Sequence, residues 1–227
     1  MVSPTRTDSL YEQVQPFTTV AKNRFVEWFC GNEIRTDTWN KKDIRGGAGT
    51  FAMSDSKDGG FKITSGSSAN SQSRIDFGNI NTYAHNASVN LSVTYREYGT
   101  TGIIRCGFKK GTDEAVNHGA FYQNSADDTY YRLFTQDGSS GNSVNTSVKS
   151  AEDTVKRLHK IECKSSSVDY TIAHQGAINE VEGWYGSALT VTSTSNLPSQ
   201  AMQPMFSMYG NSVARVGHIL YMEAYNT

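Results

Sequence analysis

The chain has 227 residues with 21 Lys and Arg against 22 Asp and Glu, a formal net charge of −1, so its overall balance supplies no electrostatic grip on a nucleic acid or an anionic membrane. Hydrophobic residues at 37% and aromatics at 11% suffice for one sizeable core, and four prolines without a long charge run argue against disorder. Cys30, Cys106 and Cys163 are an odd set with no C-x-x-C spacing, which indicates neither a disulfide framework nor a zinc knuckle and predicts buried free thiols.

In chain order, residues 1–24 read as a polar N-terminal arm that nevertheless carries Leu10, Tyr11, Val14, Phe17 and Val20. Five such residues within eleven positions would be an association-prone strip in a floating tail, so the arm is expected to pack on a neighbouring subunit. The N-terminus lacks the apolar core of a secretory signal, so synthesis in a cytosol is expected, and no stretch is long and apolar enough for a membrane span.

From residue 25 short strands and loops alternate. Phe25 to Cys30, Phe61 to Thr64 and Arg74 to Gly78 are strand-like segments punctuated by glycine and small polar residues. Val89, Leu91, Val93 and Tyr95 alternate with polar residues, which predicts a strand with the apolar set inward and a wet outer face. Ile104, Cys106 and Phe108 share one parity, and Tyr130 to Thr135 follows an acidic turn. Asp137 to Ser150 is rich in Gly, Ser and Asn and reads as a mobile connection. His159, Ile161 and Cys163 oppose Lys160, Glu162 and Lys164, and after three serines Val168, Tyr170 and Ile172 share a face, a pair that predicts a hairpin. With no helical period anywhere, the pattern predicts one all-β domain over residues 25–227, a two-sheet antiparallel β-sandwich or barrel.

Phe25-x-x-Trp28-Phe29, Asp37-x-Trp39, Gly60 to Gly66 and Ser73 to Phe77 resemble the opening of concanavalin A-like lectin/glucanase jelly-roll domains of viral structural proteins. Tyr130 to Leu133, His159 to Glu162, Val168 to Ile172, Asn196-Leu197-Pro198, Met202 to Phe206 and Ile219 to Ala224 are similar to that family's closing run. The resemblance implies a concanavalin A-like jelly roll and places the chain among virion components that decorate a capsid, form a turret or sit on a tail.

Laminarinase-type relatives implied by the resemblance use Glu-x-Asp-x-x-Glu, because retaining hydrolysis needs two carboxyls about 5 to 5.5 Å apart. Glu180-Val181-Glu182 approaches that pattern but lacks the middle Asp and the third acid, and it lies among glycines. No catalytic residue is therefore assigned. Trp184 and Tyr185 at a Gly-flanked tip are a candidate sugar-stacking platform. Asp127-Asp128 and Asp137-Gly138 are the local acids a lectin-type calcium would use, but turns favour these residues anyway, and no metal or cofactor is assigned. The five histidines, His85, His118, His159, His174 and His218, form no H-x-x-x-H pair.

The leading expectation is a non-enzymatic virion structural protein, made in the host cytoplasm, that assembles with itself as a homo-oligomer and with other virion proteins. The alternative is a carbohydrate-binding receptor-recognition module with a host-surface glycan as partner. A glycan hydrolase comes third.

Overall fold

The computed structural model describes residues 23–29, 34–45, 48–54, 60–78, 80–98, 102–111, 118–125, 130–149, 156–174, 188–210 and 213–227. The arm residues Leu10, Tyr11, Val14, Phe17 and Val20, the tip residues Trp184 and Tyr185, and Glu180, Glu182, Asp127 and Asp128 lie outside the described residues.

Fifteen strands make up the described fold: β1 (Phe25–Trp28), β2 (Asn40–Arg45), β3 (Thr50–Met53), β4 (Phe61–Thr64), β5 (Gln72–Asp76), β6 (Ser88–Tyr98), β7 (Ile103–Lys109), β8 (Gly119–Ser125), β9 (Tyr130–Gln136), β10 (Gly141–Lys149), β11 (Arg157–Cys163), β12 (Val168–His174), β13 (Leu189–Ser193), β14 (Gln203–Tyr209) and β15 (Val216–Asn226). They form two antiparallel sheets. The eight-stranded sheet runs β13-β12-β11-β6-β15-β4-β3, with β1 also on β15, and the seven-stranded sheet runs β10-β9-β8-β7-β14-β5-β2. This is the two-sheet all-β sandwich that the alternation predicts.

Between the sheets lie Trp39, Phe61, Ile75, Ile104, Phe108, Tyr122, Leu133, Ile161, Val168, Tyr170, Ile172 and Phe206, all fully or almost fully buried. The expected hairpin is present, with Ile161 opposite Tyr170 and Cys163 opposite Val168. Cys106 and Cys163 are buried free thiols, and burial pushes the Cys163 thiol up to about 12.

The strand with the clearest alternation is inverted relative to expectation. The register of β6 places Ser92 beside His159 and Met222, and Asn90 beside Ile161 and Ala224, so these polar residues share the inner face with the core. Ser88, Asn90, Ser92 and Thr94 are at most 1% exposed. Val89, Leu91, Val93 and Tyr95 point to the outer face, where Leu91 is flanked by Lys160 and Glu223. The inward polar residues are small, and Ser92 and Thr94 are hydrogen-bonded. Thr94 Oγ1 lies 2.9 Å from His159 Nε2, and Cys106 Sγ donates to Ser92 Oγ at 3.3 Å. Small side chains at the centre of one sheet leave room for the large rings of the other, and the dense interior requires such size complementarity.

A second correction concerns Asp137 to Ser150. Residues 137–140 form a tight turn and residues 141–149 are β10, an edge strand paired with β9 that inserts Val144 beside Leu133. An edge strand has one ladder partner and an exposed flank, so it tolerates the Ser/Asn/Thr composition that reads as a loop. Thr146 Oγ1 donates to the Tyr131 carbonyl at 2.7 Å next to an irregularity in the β9–β10 register. The polar strand β2 at the opposite edge was likewise not anticipated.

Candidate functional site

The outer face of the seven-stranded sheet is built of three adjacent cross-strand rows. The first runs Lys42, Arg74, Ser207, Arg105, Gln123, Arg132, Asn145. The second runs Asn40, Asp76, Met205, Gly107, Phe121, Phe134, Ser143, and the third contains Gln203, Lys109, Gly119, Gln136 and Gly141. The pleat puts residues of one parity on one side, and register aligns them across strands. One row is therefore rich in guanidinium and amide groups, the next holds an aromatic pair, and the third carries further amides.

Neighbouring rows brace one another. Arg105 Nε donates to Gln123 Oε1 at 3.1 Å, and its guanidinium carbon lies 5.4 Å from the centre of the Phe121 ring. Phe121 and Phe134 stack with centroids 5.4 Å apart and planes 19° apart. Arg74 Nε and Asp76 Oδ2 form an ion pair at 2.7 Å with both side chains buried. Gly107, at φ 145°, sits opposite Phe121, and a Cβ there would come within 2.6 Å of the Ala120 carbonyl oxygen. That backbone conformation and close approach require glycine.

Access is graded across the face. Arg74, Asp76, Lys109, Phe121, Gln123, Gln203 and Met205 are buried, whereas Arg105, Arg132, Phe134 and Gln136 are half-buried and Gly141, Ser143 and Asn145 are exposed. A ligand would therefore meet the β7–β10 side of the sheet.

The third row leads into a cluster of connections at the end of the sandwich. Asp137 Oδ1 accepts the amides of Ser139 and Ser140, both at 2.8 Å, and the Ser139 hydroxyl at 2.9 Å, while Asn196 Nδ2 reaches Oδ2 at 3.0 Å. Those donors, the backbone amides of Ser140 and Ser139 foremost, hold the carboxyl well below the usual range. The Ser199 amide points to His118 Nδ1 at 3.3 Å, and Lys110 Nζ donates to Gln200 Oε1. Burial first, and then the Lys110 charge, keep the His118 imidazole below its ordinary value. At Gly138, φ 96°, a Cβ would lie 2.9 Å from the His118 ring, so the turn packs directly on the imidazole.

Among the sequence candidates, Asp137 is placed in this cluster as the cap of its own turn. No group of three or more His, Cys, Asp or Glu able to hold a metal occurs among the described residues. Trp184, Tyr185, Glu180 and Glu182 belong to residues 175–187, outside the described set. Arg105, Arg132 and Phe134 were not singled out from the sequence. Their common signal is that each lies on the strand parity opposite the core residues, but only the register brings the three together. An exposed aromatic also stands on the other sheet, where Trp28, 65% exposed, tilts against Tyr221 with centroids 4.5 Å apart. It shares no sheet with the rows described above.

No protein-family profile matches the chain, and no curated protein matches it in sequence. Solved structures do. A protein of unknown function from Shewanella oneidensis MR-1 is 12% identical with a TM-score of 0.60, over 100% of this chain and 95% of that one. Peanut lectin, in a complex with a nine-residue peptide, is 13% identical with a TM-score of 0.57, over 90% and 97%. The exoplasmic/lumenal domain of VIP36 in its Ca2+/Man3GlcNAc-bound form is 8% identical with a TM-score of 0.53, over 84% and 83%. At these identities the likeness shows the fold, a lectin-type concanavalin A-like sandwich. It agrees with the fold expected from the sequence resemblance, and lends no support to a viral origin.

Proposed function

We propose that the protein is a non-enzymatic carbohydrate-binding domain whose binding surface is the β7–β10 side of the seven-stranded sheet. The observation that carries the reading is the alignment of half-buried Arg105, Arg132, Phe134 and Gln136 on adjacent rows of one rigid sheet. Sugars present vicinal hydroxyls and C–H faces. Planar guanidinium and amide groups engage hydroxyl pairs in bidentate fashion, and an aromatic ring packs against the C–H face. The fold likeness to lectin domains, one of them solved with a bound mannose-containing glycan, supports the reading. The virion-assembly expectation has no comparable support, and its arm lies outside the described residues.

The test is a glycan array probed with the purified protein, followed by titration of the best ligand against Phe134→Ala and Arg132→Gln. Glycan binding weakened by both changes, with melting unaltered, is the expected result. A protein that binds no glycan overturns the reading, and so does release of reducing sugar from a bound polysaccharide, which would make it an enzyme.

A further inference from the structure

On the outer face of the eight-stranded sheet, Arg24 pairs with Glu223, Lys160 with Glu162 and Lys164 with Asp169, all at 2.6 to 2.9 Å. One cross-strand row departs from that pattern. It runs Trp28, Tyr221, Val93, Leu158 and Ala173, from β1 across β15, β6 and β11 to β12. Trp28 is exposed, and Tyr221, Val93 and Leu158 are half-buried. Tyr221 turns its hydroxyl to Glu223, so the row presents the ring rather than the oxygen. A contiguous apolar band rimmed by ion pairs is the mark of an interaction surface.

The chain itself carries a segment of matching chemistry. The N-terminal arm brings Leu10, Tyr11, Val14, Phe17 and Val20 close together in sequence, and it leads directly into β1 on this sheet. Asn23 takes φ 60°, a bend conformation, and Arg24 is fixed to Glu223 next to the row, so the arm enters the sheet through a turn whose following side chain is anchored on the outer surface. Reach is sufficient. The row from β1 to β12 spans about 19 Å at about 4.8 Å per strand. The stretch from Leu10 to Val20 covers about 33 Å if extended and about 15 Å if helical. Ala21 and Lys22 alone separate Val20 from the turn. A tether that short holds the chain's own arm at a local concentration on the order of millimolar, far above that of arms from other molecules in dilute solution.

We propose that the arm of each chain lies across its own eight-stranded sheet, with Leu10, Tyr11, Val14, Phe17 and Val20 on the row from Trp28 to Leu158. The chain's own sheet, rather than a neighbouring subunit, is then the surface that meets the arm. Mutual burial of the two apolar surfaces supplies the driving force. The proposal is independent of the carbohydrate reading, because the covered face belongs to the other sheet and leaves β7 to β10 open.

Photo-cross-linking in the full chain tests it, with a benzophenone amino acid in place of Phe17 and half of the chains carrying heavy nitrogen. The expected result is linkage to the peptides that contain Val93, Leu158 or Tyr221, always within chains of one isotope. Val14→Asp in the same chain should lower that yield at least about fivefold, because the contact would leave a carboxylate in apolar surroundings. Ser9→Asp, outside the apolar set, should leave it unchanged. Linkage between chains of different isotopes overturns the proposal in favour of a second copy's arm. Linkage only to peptides of the seven-stranded sheet, or none to the band, overturns it outright, and a yield indifferent to Val14→Asp shows that the apolar strip is not what holds the arm. Hydrogen exchange of the unaltered chain gives a reading that needs no substitution. Amides of residues 10–20 should exchange at least about tenfold more slowly than in a free peptide of that sequence, and exchange at the peptide's rate overturns the docking.

Discussion

His159 lies flat on Tyr122 across the interior, ring centroids 3.8 Å apart and planes 15° apart, although the two residues come from opposite sheets. Thr94 Oγ1 and Tyr170 Oη hold the two ring nitrogens, each at 2.9 Å. Burial, reinforced by Arg157, holds this imidazole well below its ordinary value, so it is neutral in the fold. In the unfolded chain it takes a proton near pH 6.5. Below that pH the unfolded state binds more protons than the folded one, so stability is full above about pH 7 and is lost on acidification, by at most about 1.4 kcal/mol per pH unit. Urea unfolding at pH 7.5 and 5.5 should show the loss. His159→Phe should be less stable at pH 7.5, since it orphans two hydroxyls at about 1–3 kcal/mol each, and should show a shallower pH dependence. An equal pH slope in both proteins would exclude His159 as its source.

The inverted parity of β6 makes a prediction opposite to the one the alternation suggests. Leu91→Ser acts on an outward, half-buried position and should cost about 1 kcal/mol or less. Ser92→Leu replaces a hydroxyl by three carbons in a filled interior beside Cys106 and should cost about 1–3 kcal/mol. Denaturant unfolding of the two variants decides it, and a larger loss for Leu91→Ser would mean that the strand faces the other way.

Gly107→Ala should destabilise the sheet by about 1–3 kcal/mol through strained backbone and the clash with the Ala120 carbonyl. Because Gly107 adjoins Phe121, the same change should weaken glycan binding even where the protein stays folded. Normal binding at a reduced melting temperature would separate the aromatic row from the binding surface.

Phe134 and Trp28 should behave differently. Phe134→Ala removes the ring beside the guanidinium row and should lower glycan affinity about tenfold. Trp28→Ala, on the other sheet, should leave it unchanged. Tryptophan fluorescence would then report no sugar-dependent change from Trp28, and a loss of affinity in Trp28→Ala would move the site to the eight-stranded sheet.

What was legible in the sequence follows from periodicity. Alternation identified the β11–β12 hairpin, the inward set Ile104, Cys106 and Phe108, and the all-β class, because period two is a property of the strand alone. It also showed that Val89, Leu91, Val93 and Tyr95 share a face. Which face that is depends on neighbours: Ser92 turns inward because β11 and β15 bracket β6 in a register that sets it beside His159 and Met222. The same limit hid β10, whose polar residues need only one ladder partner, and the candidate site. Arg74, Arg105 and Arg132 are separated by 31 and 27 positions in the chain, and nothing local relates them. The sequence by itself determined strands, their two-fold patterning and the buried thiols of Cys106 and Cys163, Cys30 lying outside the described residues. Tertiary structure alone decided register, hence which polar side chains enter the core and which cations stand in one row, because a shift of one residue between paired strands exchanges the inner face for the outer.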